Sequence, residues 1–404
     1  MMRKLQYAGP ILGEEEVDAV ARVMRSGWIG DGPVTEEFEK RFADLVGKKY
    51  CILTNSGSSA NLLAFQGLVS LGRIEKGSFV AVPATAFPTS VNPVIQSGLR
   101  PMFLDCVFDK FVGPTYSALF DAHKRYDAML VSHTLGGPEP TLPLNYNRCI
   151  IVEDCCDALG AMAGGEPIGK KATATTWSFY VSHHITMGEG GAVCTDDYDL
   201  AIEIRSLRSW GRACVCDHCP IARDPSMICS MSVSSGPMSG YSMRYTYRTV
   251  GYNLKATEMQ AAIGLVQLDR LEAFLAARKR NYDIYYERFE KDPRIRIPPW
   301  RYGEYTASWM AVPFYLENGG RSEMISHLES KGIETRLLFS GCLPDHPAYK
   351  GVSYGVVEQL DGARDIMNNA FFVGNWPGLS EDDVNYICDM IEEGLDKREE
   401  SGNE

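Results

Sequence analysis

Between residues 50 and 195 short apolar runs alternate with helical patterns, and this alternation constrains the fold more than any other feature. The candidate strands are 50–54 (YCILT), 79–83 (FVAVP), 101–105 (PMFLD), 128–133 (AMLVSH), 149–154 (CIIVED), 174–180 (ATTWSFY) and 191–195 (GAVCT). Helical periodicity falls between many of them, near 59–72, 87–97, 116–125 and 198–209. Runs that do not alternate with polar residues are buried on both faces. Helices between them supply the cover, so the expected fold class is α/β with a largely parallel sheet. Residues 14–26 precede the sheet as a helix, and a long helical stretch follows it from about 256 to 290. Residues 212–250 break the pattern with cysteines, methionines, serines and glycines, and read as an inserted loop region. Mixed signals over 295–404 predict a smaller α+β domain. The expected organisation is a large α/β domain over 1–275, carrying the insertion at about 212–250, and a small C-terminal α+β domain over 276–404.

Charge narrows the partners. The formal net charge is −12, which disfavours nucleic acid and anionic membranes, since both reward Lys/Arg clusters. The densest basic run, Arg278 to Arg280, sits in a helical pattern and reads as a solvated face. One local cluster still suffices for an anionic sugar nucleotide. The opening Met-Met-Arg-Lys-Leu has no apolar core of a signal peptide, and no run approaches the ~18 apolar residues of a membrane span, so a cytoplasmic protein is expected. In such a compartment the 12 cysteines do not form disulfides as a rule. Cys51, Cys106, Cys149 and Cys194 read as core thiols. The cluster Cys214, Cys216 and Cys219 needs another explanation.

Three segments carry chemistry. Asn55-Ser-Gly-Ser-Ser-Ala60 follows a strand and opens a helix, so its free backbone N–H groups suit a phosphate; the plainer reading is a Ser/Gly turn capping a helix. Glu153-Asp154 ends an apolar strand, where parallel sheets place ligands, and a carboxylate there can hold a pyridinium N–H; the plainer reading is a helix cap. Ser178-Phe-Tyr-Val-Ser-His-His-Ile-Thr-Met-Gly-Glu-Gly-Gly191 runs from a strand through two adjacent histidines and a Gly-rich turn into another strand. No third ligand at metal spacing accompanies the histidines.

In combination these segments resemble the DegT/DnrJ/EryC1/StrS sugar aminotransferase and dehydratase superfamily. Asn55 to Asn61, Pro83-Ala-Thr-Ala-Phe87, Glu153-Asp154, Ser178 to Gly191 and Gly251-Tyr-Asn-Leu254 all appear in the family's order, and the resemblance covers nearly the whole chain. It implies the aspartate aminotransferase fold (fold type I) and a pyridoxal or pyridoxamine phosphate (PLP/PMP) cofactor. It also implies roles. Gly57, Ser58 and Ser178 would cradle the cofactor phosphate, and Asn253 would reach it from the other subunit of a homodimer with shared active sites. Phe87 would stack on the pyridine ring and Asp154 would pair with its nitrogen. The aminotransferases place a Schiff-base lysine five residues before the Gly-Glu-Gly-Gly turn, and here that position is His183. An imidazole forms no such bond, so the cofactor is expected as unanchored pyridoxamine phosphate, with His183 as general base.

Two dehydratase branches of the family have this histidine. One acts on a GDP-linked 4-keto-6-deoxymannose, uses glutamate and holds no metal. The other acts on CDP-4-keto-6-deoxyglucose in 3,6-dideoxyhexose synthesis, through a 2Fe-2S cluster and an NAD(P)H-dependent flavin/iron–sulfur reductase. Four Cys thiolates are the usual cluster ligands. Cys156 follows Asp154 by two residues, 57 residues separate it from Cys214, and Cys216 completes the Cys-x-Cys pair, as in the second branch. That branch would put its fourth ligand at position 224, which is Asp224 here. Cys229 is the favoured replacement and Cys219 the alternative. A zinc knuckle or free thiols would also account for the trio Cys214, Cys216 and Cys219. Trp28 lies in a Ser-Gly-Trp stretch that in the family approaches the sugar nucleotide; a core tryptophan is the other reading. The expected activity is carbon-3 dehydration and deoxygenation of a nucleotide-linked 4-keto-6-deoxyhexose, with electrons delivered through the 2Fe-2S cluster; the glutamate-using branch is the first alternative. A catalytically silent member of the fold is the remaining alternative.

Overall fold

The computed structural model describes residues 4–214, 216, 221 and 226–402. An eight-stranded sheet forms the centre, in the order Tyr50–Thr54, Gly191–Thr195, Ala174–Ser178, Ile150–Asp154, Ala128–Ser132, Phe79–Pro83, Arg100–Leu104, Gly355–Val356. Gly191–Thr195 pairs antiparallel with both neighbours. The remaining pairings are parallel, so one strand alone of this sheet runs against the rest. The apolar runs are buried for the reason anticipated: helices such as Gly57–Ser70 cover the sheet, and Ile52, Val80, Val82, Val152 and Val193 are completely buried.

Helix starts follow local chemistry. Ser56 caps Gly57–Ser70 by accepting from the Ser59 N–H at 3.1 Å. Thr257 and Gln260 form a reciprocal capping box on Glu258–Phe289. This 32-residue helix carries the chain from the large sheet to a second, four-stranded one. The domain division expected after residue 275 falls inside it. The second sheet runs Ile295–Arg296, Ala311–Leu316, Ala370–Gly374, Arg336–Leu337, with antiparallel pairing throughout. The C-terminal part is not wholly separate, because Gly355–Val356 returns to extend the large sheet.

Most of the described insert residues are exposed or half-buried, and form isolated bridges such as Arg212 with Tyr247. Cys51, Cys106, Cys149 and Cys194 are buried, as expected of core thiols. Arg278 corrects the reading of its basic run. It is 2% exposed, whereas Lys279 and Arg280 beside it keep solvent-facing heads. Among the described residues no helix is long and apolar enough to cross a membrane.

Candidate active site

Parallel strands end together on one edge, and the Cα register aligns Thr176, Asp154 and Ser132 there. Beyond that edge lies a cavity of about 320 Å³. Its floor is the start of the helix Gly57–Ser70, which has no acidic residue in its first turn. The Ser56 hydroxyl takes the Ser59 N–H, so the N–H groups of Gly57 and Ser58 are left as open donors of the kind that bind phosphate. Gly57 is required by space: a Cβ there would lie 2.6 Å from Ser178 Cβ and 2.9 Å from Cys156 Sγ. Gly57→Ala is therefore expected to destabilise the fold by about 1–3 kcal/mol through overpacking, and to weaken cofactor binding. Thermal melting and a cofactor titration would show both.

Asp154 is braced from three directions. Oδ2 accepts from Asn61 Nδ2 at 2.8 Å and Ser90 Oγ at 2.6 Å, and Oδ1 accepts from the Cys156 N–H at 3.1 Å. Asn61 is oriented in turn by the Thr176 hydroxyl at 2.5 Å. A carboxylate so fixed, 5% exposed at the cavity wall, suits a ring N–H. Phe87 is 51% exposed and presents its ring to the cavity, with Phe339 against it edge-on. A phosphate cradle, a facing carboxylate and an aromatic wall fit a pyridoxal-type group.

The two histidines divide. His184 points into the core, where Nε2 meets the Ser308 carbonyl and hydroxyl at 2.9 and 3.0 Å. His183 lines the cavity. Its Nδ1 lies 3.0 Å from Met310 Sδ and 3.5 Å from Asp157 Oδ1, which leaves Nε2 as the open nitrogen. Burial pushes the imidazole down to about 4; Asp154 opposes this and Arg278 adds to it. Asp157 moves the other way, up to about 7, by burial and the nearby Asp154 against a bond from the Leu135 N–H. The pair is thus poised around a neutral imidazole.

Other expected residues stand elsewhere. Asn253 is exposed, with Oδ1 accepting from Lys255 Nζ at 2.6 Å, and does not line this chain's cavity. Trp28 is half-buried on a loop, with Nε1 donating to the Asp31 carbonyl, and is neither core nor cavity wall. Cys156 lines the cavity, its thiol pushed well up by burial and by Asp154 and Asp157. Cys214, Cys216 and Cys229 lie on the insert. Among the described residues no three of these four sulfurs come within 4.8 Å of one another; the one such group is His133, Glu153 and Cys155. Cys219 and Asp224 lie outside the described residues.

Comparison with known proteins decides the family: the DegT/DnrJ/EryC1/StrS aminotransferase family matches over residues 10–392. The chain belongs to that family. Among relatives of this DegT-family protein, lipopolysaccharide biosynthesis protein RfbH of Salmonella typhimurium is 37% identical over 96% of this chain and 90% of its own. The dTDP-4-dehydro-2,6-dideoxy-D-glucose 3-dehydratase of Saccharopolyspora spinosa is 36% identical over 97% and 87%. The structure of Escherichia coli GDP-4-keto-6-deoxy-D-mannose-3-dehydratase with bound hydrated PLP superimposes with a TM-score of 0.85, at 27% identity over 97% of this chain and 100% of that one. The DegT-family protein thus has the fold type I architecture expected of it, and its relatives include nucleotide-sugar 3-dehydratases. Asn61, Ser90, Asp157 and Met310 were given no role by sequence. Only Asp157 carried a signal, as a second acid three residues beyond Asp154.

Proposed function

We propose that this protein is a pyridoxamine phosphate-dependent dehydratase that removes the carbon-3 hydroxyl of a nucleotide-linked 4-keto-6-deoxyhexose. One observation carries the reading: the position five residues before Gly188 holds a half-buried, neutral imidazole facing the cavity, in place of a lysine. The bound cofactor would supply an amine that captures the sugar's ketone and a ring that accepts electrons. The chain supplies the rest. Gly57, Ser58 and Ser178 would hold the phosphate, Phe87 would cover the ring face, and Asp154 would accept the ring N–H. Nε2 of His183 would accept and return the proton on which loss of the carbon-3 hydroxyl as water depends. Tyr7, Met310 and Phe372 complete an apolar wall that limits water. The 3-dehydratase relatives support this reaction class. A braced Asp154 beside a seated His183 also argues against a catalytically silent pocket.

A homodimer with shared sites belongs to the same proposal. Asn253 would act on a second copy's phosphate. The insert beside it presents Ile228 at 89% and Val250 at 93% exposure, with Tyr241, Tyr245 and Tyr247 also exposed, an apolar surface suited to burial against a partner.

The cysteine spacing favours a refinement, in which an NAD(P)H-dependent reductase supplies electrons through a 2Fe-2S cluster on Cys156, Cys214, Cys216 and either Cys229 or Cys219. The described sulfurs do not gather in this one chain, and the carboxylates around Cys156 oppose a thiolate. The proton chemistry at His183 stands without the cluster. Iron and sulfide analysis of anaerobically purified protein separates the cases. About two irons and two sulfides per chain with visible absorbance is the expected result for the refinement; a colourless, iron-free protein would remove it and leave the glutamate-dependent branch.

A further inference from the structure

Arg278 has no evident reason to be where it is on grounds of stability alone. It lies within the long helix Glu258–Phe289 and is one of the largest fully buried side chains. It forms no ion pair among the described residues, and its Nε has no hydrogen-bond partner. A buried cation without a counter-charge is costly, and an apolar side chain of similar length would usually be the more stable choice. What Arg278 has instead is three carbonyls. Nη2 donates to the His183 carbonyl at 2.9 Å, and Nη1 donates to those of Met310 at 2.7 Å and Asn375 at 2.8 Å.

These carbonyls come from three separate stretches that converge behind one imidazole. The first is the peptide of His183 itself. The second belongs to Met310, whose sulfur lies against His183 Nδ1 and which leads into the strand Ala311–Leu316. The third follows the strand Ala370–Gly374 of the same small sheet. The planar fork of a guanidinium can bridge such a set; a single ammonium cannot match it. We propose that Arg278 is a positioning residue for His183, seating its imidazole between the two sheets through the three carbonyls it holds.

This inference rests on the reading of His183 as the base. The charged or titratable groups facing His183 are Asp154 and Asp157 beyond one strand, Tyr180 and His184 on its own loop, Glu189 across the cavity, and Arg278 from the helix. Arg278 lowers both histidines and Asp154 raises His183, so the arginine helps to offset the acids in front.

The experiment is an NMR titration of isotope-labelled histidine, with His183 assigned by its loss in H183N, alongside steady-state kinetics of the pyridoxamine phosphate-loaded enzyme. R278M is expected to shift the His183 titration upward, because Arg278 is one of the groups that lower it, while burial keeps it below the ordinary histidine value. It should also lower kcat by about tenfold or more with KM little changed. R278K, which keeps the charge but not the fork, should leave the titration near that of the wild type and give an intermediate kcat. An unmoved His183 titration in R278M, or a loss confined to KM, would overturn the proposal. If R278M does not fold, R278K decides: a loss confined to kcat supports it, and full kcat or a loss confined to KM refutes it. The titration needs no turnover, so its failure is distinguishable from failure of the dehydratase reading, which H183N kinetics tests.

Discussion

Replacing His183 by asparagine is expected to lower turnover by about 10²–10⁴-fold, the usual contribution of a general base, while leaving cofactor binding in place. Asparagine keeps a planar polar group in the pocket and a donor toward Met310 and Asp157. It removes the open Nε2, the atom proposed to take the proton. Because burial holds His183 near 4, the base is already unprotonated over the neutral range. Its acid limb in the wild type should appear far below the ordinary histidine value of about 6.5: activity governed by this group rises with pH through about 4 and is level above about 5. Loss of carbon-3 deoxygenation with retained cofactor absorbance supports the assignment. Unchanged turnover in the variant would refute it.

The second large effect is expected at Asp154. Asp154→Asn preserves shape but not chemistry. The carboxylate accepts from Asn61, Ser90 and the Cys156 N–H, and an amide cannot accept at both ends. One orientation turns its NH2 toward the Asn61 and Ser90 donors; the other turns it toward Cys156 and the ring nitrogen. Either way a donor faces a donor, and the charge proposed to hold the ring nitrogen protonated is gone. Loss of one charge-assisted bond corresponds to about 1.5–3 kcal/mol, or about 10–100-fold in cofactor affinity, with turnover falling further because the ring accepts electrons less well. A cofactor titration of the variant, followed by kinetics at saturating cofactor, separates the two parts. Wild-type affinity would show that Asp154 faces something other than the ring nitrogen.

The strands and the cofactor floor were legible because their signals are local. The runs at 50–54, 79–83 and 191–195 became strands with those bounds, and the helix 14–26 matched likewise. The open N–H groups of Gly57 and the strand-end position of Asp154 follow from short motifs. The residues that hold those groups were not legible, because they arrive from far along the chain. Asn61 and Asp154 are separated by 93 positions, and Arg278 and His183 by 95. Arg278 was misread for a physical reason: in a run of three basic residues on one helix, periodicity gives no sign of which one faces inward. Ser90 gave no sign either, since a serine near a helix start usually serves the helix. The insert resisted reading because its described residues are exposed or half-buried, so no buried periodicity marks them.

The single reversed strand, Gly191–Thr195, has a consequence for how this pocket can change. A parallel neighbour would require the chain to travel the length of the sheet through a covering helix before returning. The reversal lets residues 179–190 turn back at once, pinned at both ends by the sheet's own backbone ladder, as where Ser178 pairs with Gly191. The tip of that turn is therefore a socket whose frame is independent of the side chain it carries. A change of side chain at position 183 would therefore alter the pocket without calling for a new frame.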